Sequence, residues 1–177
     1  MRKMLVVGLL VLTGIGPATD LLACGDKFLV GSRGTRFQRA RIAGRQAAIL
    51  VYLNPSSELG KAVGNAPVAE GLKKIGYRAA TVNSAADLER AIAQGGWDLV
   101  IADLSDSPAI RGRLSQSTTA PLVMPIAFNP TKTAFAQVKK DFPRAIKGPV
   151  KEQAFLDALD DTVGYIDKQR SKAKKAN

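Results

Sequence analysis

From residue 47 onward the chain alternates short apolar runs with amphipathic stretches, and that alternation leaves few ways to fold. Helices lying between consecutive strands cover both faces of a sheet, so the pattern predicts parallel strands joined by helical crossovers. Five runs qualify as strands: 47–53 (AAILVYL), 77–82 (YRAATV), 99–102 (LVIA), 122–126 (LVMPI) and 145–146. Pro125 weakens the fourth, because proline cannot donate to a ladder. Helices are expected over 68–75, closed by Gly76, and over 84–94, opened by the near capping box Ser84-Ala85-Ala86-Asp87 and closed by Gly95-Gly96. A short one is expected at 108–115, a fourth at 131–141 and a last from about Val150. In the last, Phe155, Leu156, Leu159, Val163 and Ile166 recur at helical spacing, a stripe that should pack on the sheet before a lysine-rich end frays into solvent. The expected architecture is α/β, a three-layer αβα doubly wound sandwich on a five-stranded parallel sheet. Its ligand crevice lies at the carboxyl ends of the strands.

The formal charge of +11 suggests a binder of nucleic acid or of an anionic surface until its distribution is considered. Residues 46–167 hold 13 Lys/Arg and 13 Asp/Glu, so the core is neutral. Residues 24–45 carry a net +5, and so do residues 168–177. The basicity therefore sits in two arms.

At the N-terminus Arg2 and Lys3 precede an apolar run over 5–15, which has the length of a signal-peptide core and is too short to span a bilayer comfortably. Residues 1–23 read as a bacterial signal peptide with cleavage options after Ala18 or Ala23, which predicts an exported, periplasmic protein. Leu21-Leu22-Ala23-Cys24 resembles a lipobox. Cys24 is the only cysteine and cannot form an internal disulfide, so lipidation and a free or intermolecularly paired thiol both remain open. The expected division is signal peptide 1–23, basic arm 24–45, α/β domain 46–167 and basic tail 168–177. In the arm, Arg33, Arg36, Arg39 and Arg41 are interleaved with Phe28 and Phe37, a composition suited to an anionic partner. For an exported chain that partner is a phospholipid headgroup, an acidic wall polymer or an acidic protein rather than nucleic acid. Membrane association through Cys24 and the basic arms is then expected, and a solvated linker is the competing reading.

Gly71-Leu72-Lys73-Lys74-Ile75-Gly76-Tyr77, followed by Trp97-Asp98-Leu99-Val100-Ile101-Ala102-Asp103-Leu104, resembles the middle of a response-regulator receiver domain. The resemblance covers roughly 47–165. It implies a flavodoxin-like fold with strand order 2-1-3-4-5, Asp103 at the phosphoacceptor position and Lys147 at the switch lysine. Receiver chemistry also needs a Mg²⁺ held by an acidic pair ending the first strand. The matching residues are Leu53 and Asn54, and neither brings charge. Ile126 stands at the family's hydroxyl position, Gly148 is inserted before Pro149, and the 54–67 loop is long. What remains is a degenerate receiver site of Asn54, Asp103, Asp106 and Lys147, with no catalytic residue, no metal ligand set and no cofactor. Asp103 and Lys147 are expected to form a structural pair and Asp106 to cap the 108–115 helix, or the group lines a binding crevice.

Gly60-Lys61-Ala62 follows the first strand but lacks the upstream glycine and the hydroxyl of a phosphate loop. The chain has no histidine, which excludes His-based acid/base catalysis, Ser-His-Asp triads and His metal sites. The expected function is an exported, non-phosphorylatable pseudo-receiver acting as a protein-interaction or signalling module at the cell envelope. The alternative is a periplasmic protein binding a small ligand or a cation in the crevice.

Overall fold

A computed structural model describes residues 41–42, 44–115 and 120–176. Residues 1–23, which read as a signal peptide, and Cys24, Arg33, Arg36 and Arg39 lie outside the described residues. A two-stranded antiparallel hairpin comes first, β1 (Arg41–Ile42) and β2 (Arg45–Gln46). There follow β3 (Ala48–Tyr52), α1 (Glu58–Val63), α2 (Val68–Lys74), β4 (Arg78–Val82) and α3 (Ala85–Gln94). The chain continues through β5 (Leu99–Asp103), α4 (Ser107–Leu114), β6 (Leu122–Phe128), α5 (Lys132–Asp141), β7 (Ile146–Gly148) and α6 (Glu152–Ala176).

The five long-range strands pair in parallel in the order β4-β3-β5-β6-β7, which is the expected 2-1-3-4-5 counted within the sheet. Successive side chains point to opposite faces, and both faces are apolar. Ile49, Val51, Ile101 and Met124 pack against Leu59 of α1, Leu72 of α2 and Phe155, Leu159 and Val163 of α6. Leu50, Tyr52, Val100 and Val123 pack against Leu88 of α3 and Ile110 and Leu114 of α4, with Phe135 and Val138 of α5 beside them. The molecule is a three-layer αβα sandwich.

Pro125 sits in β6 without breaking it, and the direction of its neighbours' bonds explains why. Leu122 donates to the Asp98 carbonyl, and the Ile126 carbonyl accepts from Leu104, so even-numbered residues of β6 face β5. Pro125 faces the other way, where pairing with β7 begins only at Ile126 opposite Ile146. No bond of the β5–β6 ladder is lost. Ser84 caps α3 as expected: its hydroxyl accepts from the Asp87 amide at 3.1 Å and donates to the Asp87 carboxylate at 2.7 Å, and Gly95 and Gly96 end α3 at φ 69° and 77°.

Three expectations are corrected. The 54–67 stretch contains helix α1, capped by the Ser57 hydroxyl accepting from the Gly60 amide at 3.0 Å. Ordered packing begins before residue 46, since Ile42 is fully buried in the core beneath α6. The lysine-rich end does not fray; α6 is helical to Ala176, built from good helix formers and tied down at Arg170. Among the described residues no helix is long and apolar enough to cross a membrane.

Candidate functional site

The carboxyl ends of β3 and β5 bring Asn54, Asp103 and Asp106 together. Asp103 ends β5 and is 6% exposed. One carboxylate oxygen accepts from the Leu59 amide at 2.9 Å, and the other accepts from the Ser105 amide at 2.9 Å and the Ser105 hydroxyl at 2.8 Å. Its carbonyl accepts from the Ser107 hydroxyl at 2.7 Å. The side chain therefore ties α1 and the turn into α4 to the end of the sheet.

Asn54 turns its amide onto both oxygens of Asp106, at 3.2 and 3.3 Å, while its side-chain oxygen accepts from the Ser56 amide at 3.1 Å. Asp106 occupies the N-cap position of α4, yet its side chain makes no cap bond, which corrects the capping role expected of it. Asn54 has captured that carboxylate instead. The same charge and its own burial push the Tyr52 hydroxyl pKa upward, burial being the larger cause.

Lys147 does not join the group. Its side chain is exposed and makes no ion pair with Asp103 within 4 Å. The reason is register: Asp103 lies beside Ile126 and Ile126 beside Ile146, so Lys147, one residue further, projects from the opposite face. The residue before Pro149 is Gly148, buried so tightly that an added Cβ would lie 3.0 Å from Ile126 Cγ2.

The Mg²⁺ of receiver chemistry does not fit these residues. Both oxygens of Asp103 accept internal hydrogen bonds, Leu53 is apolar and 4% exposed, and Asn54 carries no charge. Among the described residues no three His, Cys, Asp or Glu side chains are placed to hold a metal ion. Beneath the crevice an apolar void of about 10 Å³ lies between Leu53, Leu59 and Phe155.

A second polar locus lies at the amino ends of the strands. Asp98, immediately before β5, is completely buried. It accepts from the Arg45 guanidinium at 2.6 and 2.8 Å, from the Ala48 amide at 2.8 Å and from Arg170. Arg45 lies in the hairpin and Arg170 near the end of α6, both in stretches that read as basic arms. The available signal was Asp98 itself, a carboxylate between Trp97 and an apolar strand, which must find cations if it is buried. Arg41 opens β1 and pairs with Gln46 of β2.

Comparisons with protein-family models, curated proteins and solved structures return no match.

Proposed function

We propose that the chain is an exported, non-phosphorylatable pseudo-receiver that acts by binding, as a protein-interaction or signalling module at the cell envelope. The observation that carries this reading is the commitment of the Asp103 carboxylate to Leu59 and Ser105. A phosphoacceptor must present a free oxygen beside a bound cation, whereas this one is a structural tie in a site without a compensating charge. Both carboxylate oxygens of Asp103 are engaged within the protein, which favours partner binding over ligand binding in the crevice. Export rests on Arg2, Lys3 and the 5–15 apolar run.

The test is to add Mg²⁺ and beryllofluoride, a phosphoryl mimic, to isotopically labelled protein. The amide resonances of Leu59, Asp103 and Ser105 are expected to stay where they are. Saturable shifts centred on Asp103 would show a working receiver and end the proposal.

A further inference from the structure

The amino ends of the strands carry a groove of about 840 Å³ whose walls include Arg45, Trp97, Pro121, Tyr165, Arg170 and Lys174. Asp98 forms part of it, but two guanidiniums share that one carboxylate. With Lys174, the lining keeps a surplus of two positive charges. A smaller depression of about 260 Å³ shares Ala120, Pro121 and Leu122 with the groove and adds Arg111 and Arg144 against Asp141. The two are bridged by the Arg144 guanidinium, 4.4 Å from the centre of the Tyr165 ring. Tyr165, 36% exposed, is the one exposed large apolar side chain among the described residues.

We propose that this trough docks an extended acidic peptide segment of a protein partner, one that also carries an apolar side chain. Charge complementarity selects the class: Arg170, Lys174 and Arg144 lie along the trough and can meet successive carboxylates. The apolar side chain packs against Pro121, Leu122 and Tyr165, whose burial gives the contact an affinity that charge alone in water lacks. A single small anion would engage one end of two connected depressions and leave Tyr165 exposed. This deepens the partner-binding reading by naming its surface, and it is independent of whether Asp103 can be phosphorylated.

Trp97, the only tryptophan of the chain, reports on the trough. The full chain is titrated with a twelve-residue peptide of Asp and Glu around one central Leu, following tryptophan emission. A saturable change is expected, weakened by added salt as contacting charges are screened. Lys174→Glu and Arg144→Gln, neither in an ion pair within the described residues, should each weaken binding about tenfold while leaving the unfolding midpoint near that of the parent. Four results overturn the proposal: no response to the peptide, an equal response to its Lys-for-Glu counterpart, unchanged affinity in both variants, or the same response from another occupant. The other occupants are free glutamate or phosphate, phosphatidylglycerol vesicles, and the protein itself on concentration. The beryllofluoride experiment reads Asp103 and this one reads Trp97, so each can fail alone.

Discussion

The Asp98 carboxylate, wholly buried, grips the Arg45 guanidinium through two hydrogen bonds, at 2.6 and 2.8 Å, across 53 residues of sequence. Arg170 donates to the same carboxylate from α6, so one side chain joins the hairpin, the sheet and the last helix. Both arginines are partly exposed and lose little when freed, whereas the carboxylate cannot reach water. Arg45→Ala or Arg170→Ala should each cost about 1 kcal/mol, because the other arginine still neutralises Asp98. The double variant should cost about 3–5 kcal/mol, well beyond the sum, because a buried carboxylate is then unpaired. Urea unfolding of the four proteins measures the coupling, and simple additivity would contradict a shared role.

Gly60 and Gly112 are both helical glycines, and alanine should act on them in opposite directions. A Cβ on Gly60 would lie 1.9 Å from the Asn54 carbonyl oxygen, a backbone atom with nowhere to move. Gly112 in α4 has nothing within 4 Å of such a Cβ. Gly112→Ala should stabilise by about 0.5–1 kcal/mol through helix propensity alone. Gly60→Ala should forfeit that gain and destabilise by about 2 kcal/mol or more, since α1 must shift off the sheet. Thermal unfolding of the two variants checks the contrast in sign.

The sheet was legible because buried parallel strands leave little else for runs such as Ile49 to Val51 and Val100 to Ala102 to do. Ser84 and Asp87 were legible because a side-chain N-cap is local. Helix α1 was not, since it spans six residues with a glycine among them and is held by Asp103, 44 residues away. Ile42 lay among arginines and looked like part of a solvated arm, and only the presence of α6 above it explains its burial. The cluster of Asn54, Asp103 and Asp106 could be read from the resemblance to receivers. The direction of Lys147 could not, because it depends on the strand register around Gly148. Asp98 was visible within its motif, but its counter-ions lie 53 and 72 residues away.

Tyr77 gives the fold a defined response to alkali. Its hydroxyl donates to the Asp160 carboxylate at 2.7 Å, and burial, then that hydrogen bond and charge, push its pKa far above the ordinary 10.0. The folded state therefore keeps the proton that the unfolded state releases above pH 10. The stabilisation is fully present below pH 10 and is lost as pH rises beyond it. Tyr77→Phe should cost about 1–2 kcal/mol at pH 7 by removing the bond to a charged acceptor. It should also unfold less steeply than the parent between pH 10 and 11. Matched denaturation curves across that range isolate Tyr77 from the titrating lysines, which both proteins share.

Asp103 and Lys147 provide the last prediction, because a working receiver and a structural tie give opposite results. If Asp103 only holds Leu59 and Ser105, Asp103→Asn keeps one acceptor oxygen and replaces the other with an amide that cannot accept. The loss should be about 1–2 kcal/mol of stability, with faster hydrogen exchange at the Leu59 amide as α1 loosens. Lys147→Ala, at an exposed side chain on the opposite face of the sheet, should stay within about 0.5 kcal/mol of the parent. The double variant should be additive, since the two side chains do not meet. A coupling well above about 0.5 kcal/mol would place Lys147 beside Asp103, against the strand register that turns it to the opposite face.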